Sequence, residues 1–434
     1  MINEKARETS KRTLIIGMTP SWFLLFGTII MVAAYLGKLP NNLIGGFAVC
    51  MFIGSALSFV ANKIPFIKNT IGGVAAIAFT CAILNHFHVF PENLIETVKG
   101  FVGGNTSFIT FYISGLICGS LLGIDRNLLI KAGSRYFIPI TAGIIGAYAL
   151  AGLVGQVAGI GWKESILYIA APIMGGGTGG GAIPMSEIYG TALGTGNEVM
   201  FSKIYPAVTL GGISSLVFAG VLNSLGKKKP SLSGNGVLMK GFTMVESEEY
   251  EDDDSMTITD LGTGLFMSSA FFIFGRIVGN FVPVIHYYAF IIITVALAKI
   301  TGIVPKKMEL AALKWYKFLV KNFTLALMAG VGITMISIQG IIDILSPIYL
   351  IVCIATVVGG FLGAGIVGRL VNFFFIESAI TAGLCMSNVG GNGDVAILSA
   401  SERMNLMPFA QISSRLGGAL ILIIQSFLIR ILAG

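Results

Sequence analysis

Charge is scarce in this sequence. Asp, Glu, Lys and Arg make up 11% of its 434 residues, against roughly a quarter in ordinary soluble domains, so a soluble globular protein is excluded. Histidine occurs three times, and the five cysteines include no Cys-x-x-Cys pair. Those shortages exclude a zinc template and a disulfide framework. Cys50, Cys81, Cys118, Cys353 and Cys385 all fall in apolar segments, where a thiol serves as a small packing residue. His-Glu-x-x-His, a Gly-x-Ser-x-Gly elbow and paired catalytic carboxylates are missing, which argues against an enzyme.

What the chain has instead is apolar length. Hydrophobic residues make up 55% of it, with 57 glycines, and a bilayer is spanned by about 20 apolar residues. Candidate spans run over 20–36, 42–61, 71–85, 106–123, 136–158, 200–223, 260–282, 284–302, 318–338, 347–368 and 408–432. Two further apolar segments, 164–190 and 372–398, are broken by glycine. The net charge of +7 reads as topology rather than as a nucleic-acid surface, because Lys and Arg gather in alternate short loops, the positive-inside pattern. With the charged N-terminal tail (Lys5, Arg7, Lys11, Arg12) inside, the alternation holds only if each glycine-broken segment enters and leaves on one face. The first then dips from outside and the second from inside. The expected fold is an all-α polytopic membrane protein of about eleven transmembrane helices plus two opposed re-entrant hairpins, with the N-terminus cytoplasmic and the C-terminus outside.

The two halves echo each other. Ala182-Ile183 leads to Ser186-Glu187 as Ala396-Ile397 leads to Ser401-Glu402, and Leu210-Gly211-Gly212 matches Leu416-Gly417-Gly418. Opposed hairpins in such halves are the mark of inverted repeats, with a shared site near the bilayer midplane. The expected organisation is a tail and first helix over 1–40, an N-terminal repeat over 41–223, a cytoplasmic linker over 224–259 and a C-terminal repeat over 260–434. The linker carries Lys227-Lys228-Lys229 and an acidic run at 246–254, and reads as a solvated, flexible stretch or a regulatory one. Residues 92–99 and 308–317 read as short interfacial helices, the second with Trp315 and Tyr316 at headgroup level.

The run Gly175-Gly176-Gly177-Thr178-Gly179-Gly180-Gly181 is no helix former, since glycine costs about 1 kcal/mol relative to alanine in a helix interior. It serves tight helix packing or a backbone break. In the second segment, residues 385–394 read Cys-Met-Ser-Asn-Val-Gly-Gly-Asn-Gly-Asp. One break in each half points to a site: freed carbonyls can hold a small cation, and the helix end that follows offers N–H groups to a carboxylate. Arg415, about seven residues into the last span, needs an anion or a wet cavity, or else snorkels to the inner face. Arg276 lies near an outer helix end, where snorkelling is enough. Asp394 either stays ionised, beside the half-helix end or near a bound cation, or caps the helix from Val395 onward. Glu187, Glu377, Glu402 and Arg403 read as hairpin-mouth residues, with pairing among them open.

Glycine runs in two opposed hairpins, Ala-Ala-Pro-Ile-Met at 170–174, Ser-Glu-Arg-Met-Asn-Leu at 401–406 and Ala-Gln-Ile-Ser-Ser-Arg at 410–415 resemble the bacterial 2-hydroxycarboxylate transporter family, the citrate and malate carriers, over nearly the whole chain. The resemblance implies secondary transport of a small di- or tricarboxylate with sodium or protons, by a homodimer in the cytoplasmic membrane. It places substrate contacts on Thr178, Gly179, Asn388, Gly390, Gly391, Asn392 and Arg415. Sodium contacts fall on the carbonyls of Ile173, Gly176 and Met386 and on the side chains of Asn388, Asn392 and Ser414. Sodium citrate carriers have Asn at the position of Thr178 and a second Arg at that of Val389. Without that cation, the sequence favours malate over citrate. The reading is sodium-coupled symport of a 2-hydroxycarboxylate; sodium is preferred to protons because the expected ligands are oxygens. The alternatives are an exchanger of substrate for product and a pore-loop channel.

Overall fold

A computed structural model describes residues 14–61, 63–64, 73–103, 107–124, 126–239, 257–282, 286–389 and 393–433. Their regular structure is helical, and the only β pairing among them is two isolated bridges, Ile15 with Met18 and Met239 with Phe373. Helices α1 (Pro20–Tyr35), α2 (Leu43–Ala61), α3 (Gly73–His86), α4 (Glu92–Val102), α5 (Phe108–Leu122) and α6 (Arg126–Val157) lead into the first glycine-broken segment, whose last part is α7 (Ile183–Leu193). Helices α8 (Asn197–Lys228), α9 (Ile258–Phe281), α10 (Tyr287–Thr301), α11 (Lys306–Thr334), α12 (Ile338–Ile344) and α13 (Pro347–Leu370) lead into the second. It ends in α14 (Gly393–Ala400), followed by α15 (Met407–Ile412) and α16 (Gly418–Ala433).

Apolar runs of this length become helices because a helix satisfies its own backbone N–H and C=O groups where water cannot. Among the described residues seven stretches are long and apolar enough to cross a membrane: Leu43–Ala61, Arg135–Val157, Asn197–Lys228, Ile258–Phe281, Lys306–Thr334, Pro347–Leu370 and Met404–Leu432. Shorter apolar helices include Pro20–Tyr35, Ala76–His86, Phe108–Leu122 and Tyr287–Thr301. On α9, Phe266, Ile273, Ile277 and Phe281 are all exposed, a surface that suits hydrocarbon and is costly in water.

The described helices group into two compact units. The smaller draws on residues up to Ile109 and on Asn322–Ile338. Its centre is Phe47, whose ring lies 4.8–5.2 Å from those of Phe101, Phe108 and Phe323, and Asn85 Nδ2 donates to the Ile333 carbonyl at 2.9 Å. The larger holds both glycine-broken segments. In it α6 and α13 pack backbone to backbone, Gly146 against Gly359 and Gly363, the small-residue contact that lets membrane helices approach closely.

Two expectations change. Residues 308–317 are the first turns of the unbroken α11 rather than a separate interfacial helix. Neither glycine nor proline stops the helix between Lys306 and Thr324, and Trp315 is buried, its ring edge-on to Phe111. Residues 92–99 do lie on an amphipathic helix, α4, which buries Leu94, Val98 and Phe101 while exposing Glu92, Glu96 and Lys99. The linker is also less free than 224–259 implied. Helix α8 runs to Lys228, and residues 233–239 are bonded to the second glycine-broken segment, with Phe374 N donating to the Leu238 carbonyl at 3.0 Å. The acidic run at 246–254 lies outside the described residues.

Candidate functional site

Both glycine-broken segments form hairpins. In the first, residues 165–174 ascend, Gly176 and Gly177 reverse the chain, and Thr178 opens the return into α7. Gly176 and Gly177 have φ of +83° and +92°, the left-handed region that residues with a Cβ avoid. The legs are antiparallel: the Tyr189 hydroxyl donates to the Leu167 carbonyl at 2.8 Å, and its ring meets Tyr168 edge-on. In the second, Phe375–Ser378, Ala379–Leu384 and Cys385–Ser387 form one leg, and α14 follows the break. Wide π-type turns occur in both hairpins and again at Ser413–Gly417. Each adds a residue to a turn and loosens backbone groups, a feature common at functional sites.

The two tips meet. Thr178 donates from its backbone N at 2.9 Å and from its hydroxyl at 3.1 Å to the Val389 carbonyl, and the Ser387 hydroxyl reaches Met174 Sδ at 3.0 Å. The matched glycine pairs make this approach possible. Gly211 faces Ile173 of the first hairpin and Gly212 faces Val389 of the second, while Gly417 faces Met386 of the second and Gly418 faces Gly175 of the first. Each pair therefore takes one hairpin on each glycine. A Cβ on Gly176 would stand 2.5 Å from the Ser414 carbonyl, so that glycine is needed for space as well as for φ.

Around this junction the structure places Ile173, Gly176, Thr178, Met386, Asn388 and Ser414 together. Gly179 faces α5, toward Tyr112 and Leu116. Gly390, Gly391 and Asn392 lie outside the described residues. Asp394, in the first turn of α14, is no cap. The Ser414 hydroxyl lies 2.9 and 3.1 Å from its two carboxylate oxygens, Asn388 Nδ2 donates to Oδ1 at 2.5 Å, and both Ser414 and Asn388 also reach the Cys385 carbonyl. Carboxylate, hydroxyl and carbonyl oxygens thus converge in one nest, which the Asn388 amide joins through its nitrogen as a donor. The sodium contacts implied by the resemblance leave Asp394 out, although the sequence offers it as a carboxylate near a bound cation, six residues after Asn388.

Arg415 is half-buried and carried on the wide turn at Ser413–Gly417, which Tyr136 braces by a 2.6 Å contact to the Ser413 hydroxyl. Its Nη1 donates to the Ser120 carbonyl at 3.2 Å, and its guanidinium lies 5.2 Å from the centre of the Tyr316 ring. Among the described residues no carboxylate lies within ion-pair distance of it. A guanidinium has five donors and always carries its charge, so most of this fork remains for an anion. Arg276 is exposed and lies over Tyr287, the undemanding arrangement of the two considered.

The mouth residues sort themselves. Glu377 and Arg403 form a buried pair at 2.9 Å at the base of the second hairpin, with side chains 0% and 4% exposed. Glu377 also accepts from the Ser233 hydroxyl and from Gly234 N and Gly236 N. Arg403 donates further to Asn223, Ser233 and the Ser401 carbonyl. Glu402 is paired with Lys227 at the surface. Glu187 is buried on the return leg of the first hairpin and accepts from the Tyr288 hydroxyl at 2.5 Å.

Against known proteins, residues 15–427 match the model of the 2-hydroxycarboxylate transporter family. The chain is 38% identical over 419 residues to the Na(+)-malate symporter of Bacillus subtilis, covering 96% of this chain and 92% of that one. It is 36% identical over 426 residues to a malate transporter of Lactococcus lactis, covering 97% and 98%. With a citrate/sodium symporter of Salmonella typhimurium it shares 33% over 422 residues, covering 96% and 94%. Two glycine-broken segments that meet beside an arginine with no carboxylate partner among the described residues, together with this end-to-end likeness, carry one conclusion: the chain belongs to the 2-hydroxycarboxylate transporter family, and it is a transporter rather than an enzyme.

Proposed function

We propose that the chain is a sodium-coupled symporter that takes up a 2-hydroxycarboxylate, malate ahead of citrate, by alternating access. The observation that carries the reading is the junction of the two hairpin tips, Thr178 on the Val389 carbonyl, beside Arg415 with most of its donors free. A carboxylate of the substrate binds the Arg415 fork, the pairing with the best geometry for that ion. The amide of Gly179, the side chains of Thr178 and Asn388 and the stretch 390–392 take the hydroxyl and the second carboxylate. Val389 supports malate: its apolar side chain packs on Gly212 and offers no second cation for a third carboxylate.

Sodium sits among the oxygens of Asp394, Ser414 and the Cys385 carbonyl, with the Asn388 side chain, Met386 and the first hairpin's carbonyls at Ile173 and Gly176 nearby; hard oxygen donors from a broken helix suit a small cation. In the membrane the chain makes about eleven crossings, its hairpins enter from opposite faces, its N-terminus is cytoplasmic and its C-terminus outside, and it works as a homodimer.

Malate, citrate and lactate uptake into proteoliposomes, with and without a sodium gradient, tests the reading. A sodium gradient is expected to drive malate above its equilibrium level. Uptake that ignores sodium and follows a pH gradient, or that occurs only by counterflow against internal product, overturns it. Asp394→Asn keeps the shape of the nest and removes its charge. The sodium concentration for half-maximal uptake is expected to rise about tenfold or more, the order expected for contacts to a charged group, while malate affinity at saturating sodium changes little. An unaltered sodium dependence takes Asp394 out of the cation site.

A further inference from the structure

Arg415 has a seat, and the seat is built by a motif that the transport reading leaves unused. Helix α5 carries Gly115 and Gly119, Gly123 follows at the same four-residue spacing just past its end, and all three face α11. Gly115 meets Trp315 and Leu319, Gly119 meets the Ala312 carbonyl and the Tyr316 Cβ, and Gly123 meets Leu313. Three glycines on one face let two helices come into backbone contact. That contact brings the Tyr316 ring and the last carbonyls of α5 to the same place. Two cations divide those carbonyls. Lys299, 2% exposed, donates to the Leu122 carbonyl at 2.7 Å and to Glu309 at 2.8 Å. That cation is neutralised by its partner on α11. Arg415 takes the Ser120 carbonyl and lies on Tyr316, and it has no such partner among the described residues.

The carbonyl fixes one edge of the guanidinium and the ring supports one face. Both contacts attract a cation, as the helix C-terminus carries negative partial charge and the ring face is electron-rich. Neither contact neutralises the charge as a carboxylate would. We propose that Tyr316 is a positioning residue for substrate binding: with the Ser120 carbonyl it holds the Arg415 fork aimed at the hairpin junction, so that the substrate carboxylate meets an oriented guanidinium. The proposal rests on the reading that Arg415 binds the carboxylate. The phenol oxygen has no part in it; the aromatic face does.

The test is malate uptake kinetics in proteoliposomes for Tyr316→Phe, Tyr316→Leu, Arg415→Lys and the double variant Arg415→Lys/Tyr316→Leu. Tyr316→Leu is expected to raise the KM for malate about tenfold, within the range of a desolvated cation–π contact, with the maximal rate and the sodium dependence kept. Tyr316→Phe is expected to stay within about twofold of the parent, because its ring offers the same face. In the Arg415→Lys background, Tyr316→Leu is expected to add little, because the fork it orients is gone. A parental KM in Tyr316→Leu overturns the proposal. So does a Phe variant as impaired as the Leu variant, or an additive double variant, or a loss confined to maximal rate and thermal stability, which is what packing alone would give. Failure of the underlying reading looks different: Arg415→Lys would itself keep the parental KM, whatever Tyr316 does.

Discussion

Arg415→Lys is expected to lower malate uptake at low substrate by about two orders of magnitude, the largest functional loss anticipated for a single conservative change. Lysine keeps the charge and loses three things at once: the planar fork that grips a carboxylate with two parallel bonds, the reach to the Ser120 carbonyl and the flat face that lies on Tyr316. Hydrogen bonds to charged groups are each worth about 1.5–3 kcal/mol, and 1.4 kcal/mol is a factor of ten, so losing the second bond of a bidentate pair and its orientation reaches a hundredfold. Initial rates in proteoliposomes measure it, with the variant's melting midpoint in detergent showing that the fold persists. Undiminished uptake would place the substrate elsewhere.

The second large effect is on stability. Glu377→Ala leaves the Arg403 guanidinium in a site where the side chain is 4% exposed, and takes from the N–H groups of Gly234 and Gly236 the carboxylate on which they now end. Removing one partner of a buried ion pair costs about 3–5 kcal/mol, because the other charge is stranded. The expected outcome is a marked fall in thermal midpoint and in the monodisperse fraction after purification. Replacing both Glu377 and Arg403 by methionine is expected to cost less than either single change, as buried pairs tolerate joint apolar replacement. A parental midpoint in Glu377→Ala would show that the pair contributes nothing to the fold.

Hydropathy made the long apolar helices readable, and glycine spacing the turn at Gly176-Gly177 and the Leu-Gly-Gly echo, because each is a local property of the chain. Reading failed where the deciding partner is far away in sequence. Ser120 lies 295 residues before Arg415, and nothing around Tyr316 announces that Gly119 will bring it to that arginine. The stretch 308–317 looked interfacial because Trp315 and Tyr316 suit headgroup level, yet nothing in it ends a helix, and α11 continues through it. The linker looked free because glycine, serine and lysine dominate residues 224–236, but Gly234 and Gly236 are there to present backbone N–H groups to Glu377. Asp394 was visible as a residue and obscure as a partner, since its role depends on Ser414 folding back across 20 residues.

The strap at the base of the second hairpin has a practical corollary. Residues 233–239 are stitched to Phe373, Phe374 and Glu377 on one leg and to Arg403 and Asn405 beyond the other. Peptide continuity through 240–256 is therefore not what keeps the N-terminal part of the chain beside the C-terminal part. A protease nick or a split gene at that stretch is expected to give two polypeptides that copurify and still transport, which makes this the natural place to insert a reporter or an affinity tag.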